Sequence, residues 1–201
     1  MATKAPRPGY HHGDLRRTLI EVATAVVETE GEDAVSVREI ARRAGVSAAA
    51  PFRHFRDKEE LLDAVAAEAM VRFRKLMDEA TREVLGEPLL EFRALGLAYV
   101  RLAVRHPKLF ALAFRRAGAD PAGAESAAES RARIERARAQ GAILDADPDL
   151  IVLAAGAMTQ GLCRMIVEGQ LGKLTVKEAE RLCAGALDIL GHGLLPRPDD
   201  C

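Results

Sequence analysis

Hydrophobic positions recur along most of the chain at the three-to-four-residue spacing of a helical face, and the elements this pattern predicts are all helices. After Asp14, Leu15, Leu19, Val22, Ala23 and Val26 share one face, and the pattern ends near Gly31. Ser36-Val37-Arg38-Glu39 then reads as a capping box, with the Ser36 hydroxyl accepting from the Glu39 amide and the glutamate reaching back. The short helix it starts buries Ile40 and Ala41 and stops at Ala44-Gly45, where glycine supplies a left-handed residue. Val46 fills the corner. Ser47 caps a second short helix, predicted to run to about Phe55, with Pro51 in its first turn, where a missing amide costs little. Asp57-Lys58-Glu59-Glu60 is another capping box. It opens a long helix through Leu61, Leu62, Val65, Ala69, Phe73, Leu76 and Met77 to about Leu85.

Beyond Gly86-Glu87-Pro88 the pattern predicts five more helices, over about 88–105, 107–114, 121–140, 148–168 and 175–194. Prolines stand at or near the starts of the first four, where they are best tolerated. The stretch from Gly118 to Ser130 is rich in Ala, Gly, Ser and acid, and its early part reads as a loop. Leu150 to Met158 is apolar nearly all round, so that helix is expected to be buried on every side. The fold class is therefore all-α, with about nine helices. A three-helix N-terminal domain at 13–60 carries a helix-turn-helix at about 35–54. It is preceded by an arm at 1–12 and followed by a helical bundle at 61–195 and a tail at 196–201.

Composition agrees: Ala, Arg, Glu and Leu dominate the 201 residues, and Trp is absent, a mixture that favours helix. The net charge of −1 announces no nucleic-acid partner. Its distribution is more telling, because Arg38, Arg42, Arg43, Arg53, Arg56 and Lys58 stand against Glu39 and Asp57 alone, a modest basic patch. Cys163, Cys183 and Cys201 lack metal-ligand or CxxC spacing and read as reduced thiols. No secretion signal is apparent, and the longest uncharged run, 150–163, reads as too short to span a bilayer. His11 and His12 have no third ligand nearby, so no metal is expected. Without a nucleophile–base pair, metal cluster or Gly-rich phosphate loop, neither catalysis nor a cofactor is expected.

Two short helices joined by a Gly-containing turn and packed on a longer first helix form a helix-turn-helix. Here Gly31, Ser36-Val37-Arg38-Glu39-Ile40-Ala41, Ala44-Gly45-Val46-Ser47 and Arg53-His54-Phe55-Arg56-Asp57-Lys58-Glu59-Glu60-Leu61-Leu62 closely resemble the DNA-binding region of the TetR family. The departures are Phe52, where the family usually has Tyr, and Pro51, where Leu or Ile is commoner. The C-terminal half is similar to a subgroup marked by a Trp, a His and a Gly. The similarity lies in Arg105-His106-Pro107, Gln140-Gly141, Ala146-Asp147-Pro148, Gln160-Gly161-Leu162 and Glu168-Gly169, although Gly156 and Gln160 stand where that Trp and His belong.

The resemblance implies a cytoplasmic, homodimeric repressor of transcription that binds a palindromic operator in double-stranded DNA and is released from it by a small molecule. The second helix of such a motif enters the major groove. If Pro51 and Phe55 face the core, Ala49 and Arg53 turn outward with Ala48 and Ala50 beside them. The alanines admit close approach and meet thymine methyls, while Arg38 and Arg53 pair with guanine. Ser36, Ser47, His54 and Lys58 anchor phosphates, and Val37 and Phe52 complete the surface. The two serines are equally explained as caps, and Arg42 and Arg43 as solvated charges. The arm, with Lys4, Arg7, His11 and His12, is placed to follow a neighbouring groove.

For the second half, Leu153, Ala157, Gln160, Gly161 and Arg164 on one helix and Leu182, Ala186, Ile189 and Leu190 on the last are the expected dimer face. Phe73, Met77, Phe92, Leu95, Tyr99, Phe110, Phe114, Met158 and Leu162 are the expected lining of an effector pocket, although each also reads as plain core. Arg101, Tyr99, His106 and Gln160 are its candidate polar groups, and the effector is expected to be largely apolar. The rival reading is a helical sensor of the same fold that has given up DNA. Activation in place of repression is left open.

Overall fold

The computed structural model describes residues 15–116 and 121–194, with backbone alone at 121–126 and 192–194. The N-terminal arm, Cys201, the tail and the start of the 118–130 loop lie outside the described residues. Eight α-helices occur among those described: α1 Leu15–Thr29, α2 Val37–Arg43, α3 Lys58–Arg82, α4 Pro88–Arg105, α5 Pro107–Arg116, α6 Pro121–Ala139, α7 Pro148–Val167 and α8 Val176–Leu194, with short 3₁₀ turns at Glu32–Ala34 and Pro51–Arg53. The chain forms two compact units that divide between Val65 and Ala66, within α3.

In the first unit α1 buries Leu19, Ala23, Val26 and Val27 against Ile40 and Ala41 of α2 and the ring of Phe55. Gly31 and Gly45 both take positive φ, 100° and 71°. At Gly45 this closes α2 through bonds from Gly45 N to Arg42 O (3.1 Å) and Val46 N to Ala41 O (3.0 Å). That is the hydrogen-bond pattern of a glycine-terminated helix.

The second short helix departs from expectation. Residues 47–50 form a turn and Pro51–Arg53 a single 3₁₀ turn, with bonds from Ala50 N to Ser47 O, Arg53 N to Ala50 O and His54 N to Pro51 O. The physical reason is Pro51: without an N–H it cannot donate to the Ser47 carbonyl, so no α-helical bond closes the turn there, although Ala50 keeps α geometry (φ −61°, ψ −42°). Among the described residues the α-helical count is therefore eight where about nine were expected.

The first capping box is also absent. Ser36 stands at the N-cap of α2 without a side-chain bond to the backbone, and the Glu39 carboxylate that would reach back to it is held by Arg42 Nε (2.8 Å) and Arg43 Nε (2.8 Å). At α3 the forward half forms, Glu60 N donating to Asp57 Oδ1 at 2.9 Å. Glu60 reaches back one residue further, to the Arg56 amide at 2.7 Å. A complete reciprocal box instead starts α8: Thr175 N donates to Glu178 Oε2 (2.8 Å), and Glu178 N to Thr175 Oγ1 (3.3 Å).

In the second unit α4 is central and packs on α5, α6, α7 and α8. At Gly96 a methyl group would stand 2.8 Å from Leu187 Cδ1, so the missing side chain admits α8 close to α4. Ile134, Ala137, Ile143 and Ile151 close a core between α6 and α7. The chain itself covers only one side of α7, the other being the side expected to meet a second copy. Ile151, Ala155, Thr159 and Cys163 are buried, but Leu150 and Leu153 are exposed. By length and composition alone Pro148–Val167 is also apolar enough to cross a bilayer, against the shorter run read from uncharged residues. The outward half of this helix is left uncovered by the described residues.

Candidate functional site

On the first unit Pro51 and Phe55 point into the core. That places Ala48, Ala49, Phe52 and Arg53 on the surface, with Ala50 half-buried. Phe52 is 51% exposed, a large apolar ring presented to solvent beside three alanines. Ser36, Arg38 and Ser47 are exposed on the same unit, while His54 and Lys58 are half-buried. Val37 is buried in the core, so the contact expected of its side chain has no surface behind it.

Charge on this unit is less basic than the sequence suggested. Arg42 and Arg43 are paired with Glu39, and Arg43 also with Glu30 at 2.8 Å. The two guanidinium groups hold the Glu39 carboxyl down at about 2. Arg56 is paired with Glu60 at 3.0 Å. Lys58 Nζ donates to the Asp33 carbonyl at 3.2 Å, which leaves further N–H donors on the same ammonium group. Arg38 and Arg53 carry no ion pair among the described residues. The two arginines singled out for base reading are thus the two whose side chains are uncommitted.

The second unit holds a cavity of about 450 Å³ lined from all six of its helices. Met70, Met77, Phe92, Leu95, Phe114, Val152 and Leu187 make apolar walls. Tyr99, Ser130, Thr159, Gln160, Arg74 and Arg115 supply the polar groups. Of the residues expected here, Met77, Phe92, Leu95, Tyr99 and Phe114 line it, and so does Gln160, which was also read as dimer face. Phe73, Phe110, Met158 and Leu162 are not part of its wall. Phe73 and Phe110 build the aromatic cluster behind Phe114, with centroids 6.4 Å and 4.2 Å from it. Arg101 is paired with Glu180 at 2.6 Å and, with His106, borders a different groove between α3 and α4.

Sequence reasoning missed Met70, Arg74, Gly96, Arg115, Ser130, Val152, Thr159 and Leu187. Val152, Ala155, Gly156 and Thr159 follow the three-to-four-residue spacing of one α7 face, a signal that was available. The facing residues on α3, α5 and α6 had no such signal.

Leu153, Ala157, Gln160, Gly161 and Arg164 fall on one exposed stripe of α7. Leu182 and Ile189 are exposed on α8, with Ala186 and Leu190 half-buried. Cys163 and Cys183 are buried; burial pushes their thiols up to about 12 and about 11, which keeps them protonated and unreactive.

Residues 19–65 match the family described as bacterial regulatory proteins, tetR family, and residues 92–190 match the tetracyclin repressor-like C-terminal domain. These matches support the family resemblance but not the narrower Trp-His-Gly subgroup. Among solved structures, a protein of unknown function from Rhodococcus sp. RHA1 is 34% identical, with TM-score 0.81, covering 94% of this chain and 100% of the other. The TetR family transcriptional regulator PfmR from Thermus thermophilus is 22% identical (TM-score 0.64; 89% of this chain, 96% of the other). The ketosteroid transcriptional regulator KstR2 of Mycobacterium tuberculosis is 21% identical (TM-score 0.66; 90% and 95%).

Proposed function

Because the chain belongs to the TetR family of bacterial transcriptional regulators, we propose that it is a cytoplasmic homodimeric repressor, released from a palindromic operator by a small, largely apolar effector. The observation that carries the DNA reading is the exposed surface of Ala48, Ala49, Phe52 and Arg53, with Arg38 and Arg53 uncommitted where the neighbouring arginines are paired. Two arginines donate to guanine edges, while the alanines and Phe52 pack on thymine methyls and sugars. Ser36, Ser47, His54 and Lys58 set register on phosphates and give salt-dependent affinity. The unpartnered stripes on α7 and α8 bind a second copy, which brings two reading heads onto half-sites roughly 34–36 Å apart. The effector occupies the cavity of the second unit and shifts the dimer toward arrangements that no longer match that spacing.

A second reading, a sensor of the same fold without specific DNA binding, is favoured by the paired arginines and by the 3₁₀ turn where a reading helix was expected. Selection of random duplex DNA on the purified protein separates the two. A palindrome bound by dimers supports the repressor, and enrichment no better than non-specific binding supports the sensor.

A further inference from the structure

The lining of the cavity has a sign. Two arginines, Arg74 of α3 and Arg115 of α5, border it, and no Asp or Glu is among its described lining residues. Both arginines make other interactions as well. A guanidinium carries five N–H donors in a planar fork, so one engaged arginine still has donors and positive potential to offer a second acceptor.

The floor adds an independent observation. Ser130 of α6 and Thr159 of α7 are each only 7% exposed and line the cavity, yet among the described residues neither hydroxyl makes a hydrogen bond. Buried hydroxyls are usually bonded, and in a helix they commonly turn back to a carbonyl one turn earlier. Two that do not, in the wall of one cavity, await a partner inside it. Apart from Tyr99 and Gln160, the remaining walls are Met, Leu, Phe, Val, Ala and Gly. Apolar walls with a few convergent polar groups define what a ligand must be, and a cationic border without acids selects the charge of its head.

We propose, resting on the reading of this cavity as the effector site, that the effector is an amphipathic monoanion: a carboxylate on an aliphatic body that fills about 450 Å³. The carboxylate is held by Arg74 and Arg115, and the Ser130 and Thr159 hydroxyls bond to an oxygen on it or just beside it. A cationic amphiphile is disfavoured by the same groups.

Three probes with the same ten-carbon tail test this on the full-length protein by calorimetry: decanoate, decan-1-ol and decyltrimethylammonium, each below its aggregation concentration. Decanoate is expected to bind at least about tenfold more tightly than the alcohol, a difference of about 1.4 kcal/mol, and the ammonium least. Arg74→Gln and Arg115→Gln narrow that gap, while Arg74→Lys and Arg115→Lys keep most of it. Gly156→Phe, which fills the cavity, abolishes all binding. Equal or tighter binding of the alcohol or the ammonium, still abolished by Gly156→Phe, overturns the anionic assignment and leaves the effector site standing. Binding that survives Gly156→Phe, or no binding of any probe, overturns both.

Discussion

Arg133 Nε donates to Glu91 Oε2 at 2.9 Å although Glu91 is only 1% exposed, so a buried ion pair ties α6 to α4. The same carboxylate accepts from Arg136 at 3.1 Å and from the Gly86 amide at 2.9 Å, which fastens the turn before α4 as well. Removing one partner of such a cluster leaves the others desolvated and unpaired. Glu91→Ala is therefore expected to destabilise the protein by about 3–5 kcal/mol, and urea unfolding at neutral pH measures it. A loss below about 1 kcal/mol would mean that Arg133 and Arg136 find water in the altered site.

The same cluster gives a pH signature. Burial raises the Glu91 pKa, but the Gly86 amide, Arg133 and Arg136 outweigh it and leave the carboxyl below its ordinary value. A group depressed in the folded state binds fewer protons there than when unfolded, so its contribution is complete above the unfolded value of about 4.3. It is lost as pH falls through the lower folded value. The stability difference between the native protein and Glu91→Gln should thus be constant from neutral pH down to about 5 and shrink below it. A difference independent of pH would show that the carboxylate charge is not what holds α6.

How much of this was legible depends on the range of the interaction. Helix ends set by local chemistry were readable, as at Pro88 and at Gly45, because one residue decides each. Glu91 sits on the apolar stripe of α4 beside Phe92 and Leu95, a visible anomaly. Its partners lie 42 and 45 positions downstream, and no local pattern names them. The 47–55 segment failed for a different reason. Hydrophobic spacing fits a 3₁₀ turn and an α-helix about equally over so few residues, and the missing Pro51 amide decided between them. The Glu39 half of the Ser36 box was lost to competition, since Arg42 and Arg43 claim the carboxylate it needed. For α7, periodicity could say that the helix is apolar on all sides but not whether its own chain covers it.

On the first unit, Arg38 and Lys58 should behave differently when removed. Arg38 carries no ion pair, and its loss is expected to cost about 1–3 kcal/mol on the selected operator and to relax preference at one position. Lys58 is anchored to the Asp33 carbonyl. Lys58→Ala should weaken all duplexes alike and reduce the slope of log affinity against log salt by about 1. Fluorescence anisotropy over a salt series on operator and scrambled duplexes measures both. If Arg38→Ala weakened both duplexes equally, Arg38 would be a phosphate contact and base reading would fall to Arg53 alone.

The dimer face is tested by charge. Leu153 is 65% exposed on α7 and Ile189 78% exposed on α8, positions a folded monomer has no reason to make apolar. An interface about a two-fold axis repeats each substitution on both sides. Leu153→Glu combined with Ile189→Glu therefore buries four carboxylates and should shift the protein to monomers at micromolar concentration. Light scattering coupled to gel filtration gives the mass, and thermal unfolding confirms that the variant is folded. A folded dimer at unchanged concentration would place the interface elsewhere.

Gly156 connects the cavity to stability and response. It lies in the middle of α7 and lines the cavity, and a methyl group placed on it would meet nothing within 4 Å. Glycine in a helix interior is less favourable than alanine by roughly 0.5–1 kcal/mol, so Gly156→Ala should stabilise the protein by about that amount. Retaining an unfavourable residue there makes sense if the space above it is used. Gly156→Phe carries that argument further: its ring enters the cavity, and the protein should keep its affinity for the operator while losing release by decanoate. Operator occupancy titrated with decanoate distinguishes the outcomes. A variant that folds and binds operator, yet is still released at the native concentration, would show that release is triggered outside this cavity.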